Sequence, residues 1–266
     1  RRGSTSGLCQ HIVLTAWHAA RLFLLAETQR TGGCPPCHGT TIHITANLHG
    51  SMNPATPVVP QTGIVRSISR EEMANLPIRR YEGKVCLVAT PQDLEHALAD
   101  IRQESVVGLD TETRPSFRKG ESHPPCLVQA AAARAVYLFQ LRRPDVFPVL
   151  AELLAEPRIV KVGVALANDL RPLKLLFPFM EKNVLDLGVV ARRCGFGQTG
   201  VRNLAGIFLG FRIPKGARTS NWAAPHLSAA QITYAATDAW ACRELFLRFQ
   251  SLGLAPAKSP ALADSL

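Results

Sequence analysis

The stretch Val106-Val107-Gly108-Leu109-Asp110-Thr111-Glu112-Thr113 decides the fold, because an apolar run ends there in carboxylates. The apolar run predicts a buried strand, which we place at residues 105–111. Side chains alternate between the two faces of a strand, so Asp110 and Glu112 point to one side and Thr111 to the other. The sequence therefore predicts two neighbouring carboxylates at the end of a strand.

A long helix is predicted at residues 228–252, and it carries a tyrosine and an aspartate on one face. Ser228 is followed three residues later by Gln231, the spacing of a capping box that begins a helix. Tyr234 and Asp238 are four residues apart, so the phenol and the carboxylate lie one above the other. Aspartate is a poor helix former in a helix interior, which favours a functional reason for Asp238.

A further carboxylate, Asp169, follows a predicted strand at 158–164 and lies in a predicted helix at 167–177. Taken alone, Asp169 is equally well explained as a cap of that helix. Carboxylates that converge in one fold repel each other strongly unless cations bind between them. Oxygen ligands without a His or Cys partner suit magnesium or manganese. The combination is what metal-assisted phosphoryl transfer requires.

The order of the predicted elements indicates an α/β fold with a mixed central sheet flanked by helices. We expect the first three strands to form an antiparallel meander, with parallel strands after it. The predicted strands are 84–89, 105–111, 126–132, 135–141, 158–164 and 184–186. The predicted helices are 70–76, 90–103, 145–155, 167–177, 188–194, 201–209 and 228–252.

The composition favours a globular protein that binds a polyanion. The chain has 266 residues, 47% of them hydrophobic, and a formal net charge of +10. A basic surface around a cluster of acids suits a nucleic-acid substrate, although such a surface can also serve solubility alone. The widely spaced Cys86, Cys126, Cys194 and Cys242 predict reduced core thiols and a cytoplasmic location. No apolar run reaches the roughly 18 residues of a membrane span.

The composition changes near residue 52, where the first methionine of the chain, Met52, occurs. Residues 1–51 contain one acidic residue and five of the eight histidines, and a stretch with several prolines follows them. We expect Met52 to be either part of a linker or the true start. The predicted segments are an N-terminal stretch at 1–51 that is either disordered or upstream of the true start, a linker at 52–61, a globular domain at 62–252 and a flexible tail at 253–266.

Taken together, the three segments resemble the motifs of the DEDDy 3′–5′ exonucleases, the family that includes ribonuclease D and the Werner-type exonuclease domain. The resemblance covers about residues 64–250, and the segment 108–117 is similar to compact bacterial members with little beyond the exonuclease domain. It implies a ribonuclease H-like fold for the domain at 62–252. The matching residues are Asp110 and Glu112 in the first motif, Asp169 in the second, and Tyr234 and Asp238 in the third.

The resemblance implies metal-dependent hydrolysis of nucleic-acid 3′ ends to nucleoside 5′-monophosphates, with two divalent cations, Mg²⁺ or Mn²⁺, as cofactors. Asp110 would bridge the two ions, and Glu112 with Asp238 would complete the site of one of them. Asp169 would act on the second ion, directly or through water. Tyr234 would orient the attacking water, because a phenol with a pKa near 10 is a poor base at neutral pH.

Basic and aromatic side chains beside the motifs are candidates for holding a single-stranded or frayed 3′ end, of RNA or of DNA. Each basic candidate is equally well explained as part of a solvated loop, and each aromatic one as part of the core. The candidates are Arg114, Phe117, Arg118 and Lys119 after the first motif, and Arg212, Lys215, Arg218 and Trp222 before the third.

Two other classes of function stay open on the sequence alone. One is a non-catalytic nucleic-acid-binding module on the same fold, which would be expected to have lost at least one metal ligand. The other is a haem or redox protein, because Cys34, Cys37 and His38 match the haem-attachment spacing. This second alternative leaves the carboxylates and the tyrosine of the three motifs unexplained.

Overall fold

The computed structural model describes residues 63–256 of the chain. Its strands are β1 Lys84–Leu87, β2 Val106–Thr113, β3 Pro125–Ala131, β4 Ala135–Gln140, β5 Val160–Gly163 and β6 Val184–Asp186. Its α-helices are α1 Arg70–Asn75, α2 Pro91–Ile101, α3 Phe147–Ala155, α4 Ala167–Leu176, α5 Leu187–Arg193, α6 Val201–Leu204 and α7 Ala229–Ser251. A 3₁₀ turn, Pro144–Val146, precedes α3, and a π-helical turn, Ala205–Leu209, follows α6.

The strands form one mixed sheet in the order β1-β4-β3-β2-β5-β6, which confirms the predicted fold class. Strands β2, β3 and β4 pair antiparallel, and β5 and β6 extend the sheet in parallel from β2. The prediction that the first three strands form the meander was wrong, because β1 lies at the edge and pairs in parallel with β4. Helix α2 connects β1 to β2, and a helical crossover joins parallel strands rather than hairpin neighbours.

The central strand β2 is longer than the sequence pattern predicted. It continues past residue 111 because β3 pairs beside its polar end, with Glu112 opposite Leu127 and Thr113 opposite Pro125. The ladder shifts its register between Glu112 and Thr113. The second carboxylate of the first motif is therefore held inside the sheet, not in the loop that follows it.

Helices cover both faces of the sheet. On one face α2, α3 and α4 pack against a core that includes Val107 of β2. On the other face α5, α6 and α7 pack against a core that includes Val106. Because side chains alternate along β2, Asp110 and Glu112 lie on the face covered by α7, and Thr111 lies on the face covered by α4.

Local signals place the beginning of the long helix α7 as predicted. The Ser228 hydroxyl accepts a hydrogen bond from the Gln231 amide nitrogen at 3.3 Å, and the Gln231 side-chain oxygen accepts one from the Ser228 nitrogen at 2.9 Å. The Gln231 amide also donates to the carbonyl of Asn221 at 3.2 Å. This reciprocal cap fixes the start of the helix that carries the third motif.

The packed domain extends beyond its predicted end at residue 252. Ala255 is buried in the core beneath α7, and the Leu254 nitrogen donates a hydrogen bond to the Phe249 carbonyl at 2.8 Å. The prediction of a flexible tail from residue 253 was therefore wrong for Leu254 and Ala255.

Several predictions from the sequence concern residues outside the described range. These are the segment at 1–51, the linker at 52–61 and the pattern at Cys34, Cys37 and His38. Within residues 63–256, the cysteines are free thiols, with Cys242 buried and Cys86, Cys126 and Cys194 partly buried. In the same part of the chain, no helix has both the length and the apolar character needed to cross a membrane.

Candidate metal and nucleic-acid site

Two carboxylates from β2 and one from α7 converge on one face of the sheet. One oxygen each of Asp110, Glu112 and Asp238 lie within 4.8 Å of one another. Close approach of α7 to β2 depends on Gly108, where a Cβ atom would lie only 2.1 Å from the carbonyl oxygen of Ala239. A larger residue at Gly108 would push α7 outward, and Asp238 would move away from Asp110 with it.

Burial and mutual repulsion hold these three groups toward their neutral forms. Burial, followed by the charges of neighbouring aspartates, raises the pKa of Asp110 well above its usual value. Burial and the charges of Asp110 and Asp238 raise the pKa of Glu112 to about 10. Burial raises the pKa of Asp238 to about 6, although Tyr234 and Arg202 favour its charged form. Ionising all three groups together therefore requires a cation between them.

The donor set fits a hard divalent cation. Among residues 63–256, the Oδ1 atom of Asp238 is buried and has no hydrogen-bond partner, so it is free to bind an ion. Carboxylate oxygens without nitrogen or sulfur ligands are what Mg²⁺ and Mn²⁺ prefer. A bound cation would favour the charged forms of all three acids and remove the repulsion between them.

Asp169 approaches the end of β2 from the opposite face of the sheet. It lies in the first turn of α4, and the Thr111 hydroxyl donates a 2.5 Å hydrogen bond to its Oδ1. Its carboxylate lies outside the group of three, but its charge raises the pKa values of Asp110 and Glu112. Asp169 is the third residue of α4, and the N-cap residue of that helix is Leu166. Burial raises the pKa of Asp169 itself to about 6.

The turn between β5 and α4 fixes where Asp169 stands. Ala165 has φ 61°, a left-handed conformation that costs an L-residue with a Cβ roughly 1–2 kcal/mol. At Gly163 a Cβ atom would lie 2.6 Å from the backbone carbonyl oxygen of Leu109, so glycine permits the close approach of β5 to β2 just before this turn. The Asp186 carboxylate accepts a hydrogen bond from the Leu166 nitrogen at 3.1 Å. Strain and these contacts together define the start of α4.

Tyr234 lies one helical turn before Asp238, as the spacing predicted. Burial, followed by the charges of Asp238 and Glu112, raises the pKa of the Tyr234 phenol above its usual value. Interaction with the phenol in turn lowers the pKa of Asp238 against the effect of burial. A phenol that stays protonated at neutral pH can orient a water molecule but is a poor base.

A basic cavity of about 1110 Å³ lies beside the third motif, with Tyr234 and Asp238 in its wall. Among the described residues that line it, Asp238 is the one acid. Such a concentration of positive charge attracts a polyanion. The cationic residues of the wall are Arg70, Arg202, Arg212, Lys215 and Arg218.

The predicted nucleic-acid-binding residues fall in two places. Lys215 and Arg218 line the cavity, and the charge of Arg218 opposes the rise in the pKa of Glu112. The other set lies on an exposed loop after β2, where the Phe117 side chain is 84% exposed. Contact of this loop with nucleic acid stays a prediction. Its basic residues, all exposed, are Arg114, Arg118 and Lys119.

The prediction that Trp222 stacks on a base was wrong. Its side chain is 1% exposed and packs in the core with Ala235 and Ala239 of α7. Its indole nitrogen donates to the carbonyl of Arg218 at 3.4 Å. A ring enclosed in this way offers no face to a base, and it instead supports the segment that carries Arg218.

Four residues near the site were not predicted from the sequence. Thr111 holds Asp169, and Arg202 acts electrostatically on Asp238. Arg70 reaches the cavity from α1, far from the motifs in sequence. Gln129 pairs with Asp110 across the sheet, and among residues 63–256 its buried side-chain amide has no hydrogen-bond partner. Only Thr111 carried a local signal, its position between two predicted ligands.

The sequence of the chain is similar to those of known exonucleases. Residues 85–253 match the family model described as a 3′-5′ exonuclease. A ribonuclease D of Gluconacetobacter diazotrophicus is 36% identical over 165 residues, which are 60% of this chain and 41% of that relative. A second ribonuclease D, of Granulibacter bethesdensis, is 35% identical over 57% of this chain and 38% of its own length. The chain thus spans about two fifths of the curated relatives it matches.

Solved structures support the fold independently of the sequence motifs. The Nibbler exonuclease domain of Aedes aegypti aligns with a TM-score of 0.58 at 23% identity, covering 65% of this chain and 90% of that chain. The similarity therefore extends over almost the whole of that domain. At this level of identity it establishes the ribonuclease H-like architecture and leaves activity to be argued from the site.

Proposed function

This chain belongs to the DEDDy-type 3′–5′ exonuclease family, and we propose that it hydrolyses nucleic-acid 3′ ends to nucleoside 5′-monophosphates at the Asp110 site. The observation that carries the proposal is the convergence of Asp110, Glu112 and Asp238 beside a basic cavity. The acids supply a place for cations and the cavity a place for the phosphodiester chain. Neither feature alone would distinguish a nuclease from a simple binding protein.

The cation ligands are assigned from the geometry of the carboxylates. Asp110, Glu112 and Asp238, whose oxygens converge, would hold a divalent cation, and Asp169, whose charge acts on Asp110, would contribute to holding a second one. Two such Mg²⁺ or Mn²⁺ ions would stabilise negative charge on the attacking and leaving oxygens of the phosphodiester. The hydrogen bond from Thr111 restrains the Asp169 carboxylate, so the carboxylate is held in one orientation beside the end of β2.

Tyr234 serves as the residue that orients the attacking water. Its hydroxyl is next to Asp238, and its raised pKa keeps it protonated at neutral pH. Positioning of a reactant by a fixed hydrogen bond accelerates reaction without any need for the phenol to ionise. All five motif residues are present, so no observation favours the alternative of a non-catalytic binding module.

The substrate is a single-stranded or frayed 3′ end. Lys215 and Arg218 would bind its phosphates, since both line the cavity and both are exposed. A matched structure is described as Trypanosoma brucei RNase D in complex with RNA U12. RNA is therefore the first substrate to test, with DNA beside it, because a 2′-hydroxyl contact would distinguish the two.

Product analysis on end-labelled strands tests the proposal. RNA and DNA of one sequence, labelled at the 5′ or the 3′ end, are incubated with Mg²⁺, Mn²⁺ or excess chelator. We expect 5′-labelled strands to shorten stepwise and 3′-labelled strands to release a mononucleoside 5′-monophosphate at once, in the presence of metal only. Internal cleavage, 5′-end release or full activity in chelator would refute it.

A further inference from the structure

One wall of the basic cavity is formed by a segment outside the matched exonuclease region. Helix α1 and the two residues before it contribute Ile68, Ser69, Arg70, Met73 and Ala74 to the lining. The match to the family model begins at residue 85, so this wall precedes the matched region in sequence. The cavity that contains Tyr234 and Asp238 is thus completed by residues that lie outside the three motifs and before the matched region.

The α1 segment is fixed to the domain by specific contacts on both sides of the helix. The Ile68 nitrogen donates to the Gln198 side-chain oxygen at 2.9 Å, and the Gln198 amide donates back to the Ile68 carbonyl at 3.1 Å. After the helix, the Arg212 nitrogen donates to the Pro77 carbonyl at 2.9 Å, and Arg79 donates to the Arg212 carbonyl at 3.1 Å. These pairs hold α1 against the segments that line the rest of the cavity.

Packing reinforces these hydrogen bonds. A Cβ atom at Gly206 would lie 2.6 Å from the Met73 methyl group and 3.2 Å from the Ile68 side chain. The absence of a side chain at Gly206 therefore creates the space that Met73 fills. A wall that is anchored by hydrogen bonds and by side-chain packing is preorganised, so a ligand binding to it loses little free energy in ordering it.

The cationic side chains that line the cavity are available to bind a ligand. Within residues 63–256, neither Arg70 nor Arg202 forms an ion pair with an acidic side chain within 4.0 Å, and the same holds for Lys215 and Arg218. Arg202 and Arg218 act electrostatically on the carboxylates, whereas Arg70 stands on α1 and is exposed. Positive charge thus extends from the acids to the wall that α1 forms.

We propose that α1 is a binding element for the single strand upstream of the scissile phosphate, with Arg70 contacting a backbone phosphate there. The volume of about 1110 Å³ exceeds the upper end, near 1000 Å³, of sites for drug-sized ligands. It therefore offers room for more than the terminal nucleotide. Cationic grooves that follow the backbone are the common way to bind single strands. This inference rests on the proposed nuclease function, whose substrate it extends.

Affinity at several salt concentrations tests the role of Arg70. Fluorescence anisotropy of a labelled RNA dodecamer is measured in chelator, so that binding is read without hydrolysis. Loss of one phosphate contact should lower the slope of log Kd against log salt by about 0.7, the value for single strands. Arg70→Ala should show this loss and weaker binding. Alanine suits the first turn of α1, so the melting temperature should not fall.

Arg248→Ala is the matched control. Arg248 is an exposed arginine in the last turn of α7, ten residues and therefore about 15 Å along the helix from Asp238. The substitution Arg248→Ala removes one positive charge from the protein but none from the cavity. The control should keep the wild-type slope. Equal slopes and affinities for Arg70→Ala and Arg248→Ala would overturn the proposal.

Dependence on substrate length supplies a second, kinetic test. With Mg²⁺, Arg70→Ala should raise KM for the dodecamer, leave KM for a dinucleotide unchanged and keep kcat for both. A loss of kcat on the dinucleotide would place Arg70 at the reacting phosphate and contradict the inference. If the wild type binds the dodecamer with an Arg70-dependent slope but hydrolyses nothing, the proposed function fails while the binding role of α1 stands.

Discussion

The Thr111 hydroxyl donates a 2.5 Å hydrogen bond to Oδ1 of Asp169, on the face of β2 that points away from Asp110 and Glu112. The candidate site is therefore built from both faces of one strand. Helix α7 brings Asp238 to one face, and helix α4 brings Asp169 to the other. Thr111, between the two predicted ligands in sequence, joins the second motif to the first.

Replacing Thr111 by valine should slow turnover while the fold persists. A hydrogen bond to a charged group contributes about 1.5–3 kcal/mol, so loss of the oriented Asp169 should lower kcat by roughly tenfold or more. Steady-state kinetics with Mg²⁺ measure the change. Thr111→Ser should restore activity, and Thr113→Val, two residues further on the strand, should have little effect. Wild-type kcat in Thr111→Val would show that the Thr111 hydroxyl does not position Asp169 for catalysis.

Asp110→Asn should abolish hydrolysis and stabilise the cation-free protein. The substitution removes one of three crowded acids, so the melting temperature in chelator should rise. The stabilisation that Mg²⁺ gives the wild type should disappear in the variant. Thermal melts of Glu95→Gln, an exposed acid in α2, serve as the control. A variant with wild-type turnover would show that Asp110 is not a ligand.

Several parts of this structure could be predicted from the sequence because their signals are local. The alternation of Asp110 and Glu112 and the capping pair Ser228 and Gln231 depend only on neighbouring residues. Contacts between distant segments could not be predicted in this way. The approach of α7 to Gly108 is one example, and the burial of Trp222 is another.

The edge position of β1 and the role of α1 illustrate the same limit of local pattern. The pattern at residues 70–76 predicted a short helix or a turn, and a helix, Arg70–Asn75, is present. Its place beside the cavity depends on pairing of residues 77–79 with Arg212 and on Gln198, all more than a hundred residues away. No periodicity or cap within the helix itself encodes these partners.

The stability of the cation-free protein should fall as pH rises. The pKa values of Asp238 and Asp169, each about 6, and of Glu112, about 10, are raised above their ordinary values of 3.8 and 4.5. Their stabilising contribution is therefore complete below the unfolded pKa values and is lost as pH rises through the folded ones. In chelator, the melting temperature should be lower at roughly pH 8 than at roughly pH 5.

Glu112→Gln isolates the contribution of Glu112, whose pKa is raised to about 10, to this dependence. Glutamine cannot ionise, so the fall in melting temperature between neutral and alkaline pH should become shallower. Glu95→Gln, whose parent side chain is exposed, should leave the profile unchanged. If Glu112→Gln shows the same profile as the wild type, repulsion at Glu112 does not control the stability of the cation-free protein.

Tyr234→Phe should separate the hydroxyl from the ring. If the hydroxyl orients water, kcat should fall by roughly 10–1000-fold, the range of lost positioning or electrostatic contacts. KM should change little, because the loss is felt mainly in the transition state. Tyr81→Phe, which removes a hydroxyl that contacts the Lys84 carbonyl at 3.4 Å, is the matched control. An unchanged kcat would assign Tyr234 to packing.

Titration calorimetry with Mn²⁺ tests most directly whether the converging carboxylates are a cation site. The wild type and Asp110→Asn are titrated in buffers of different ionisation enthalpy, which reveals proton release. Because the acids have raised pKa values and must ionise to bind, the wild type should bind Mn²⁺ and release protons. Asp110→Asn should lose most of both signals. Equal Mn²⁺ affinity and equal proton release in the two proteins would contradict the assignment of this site.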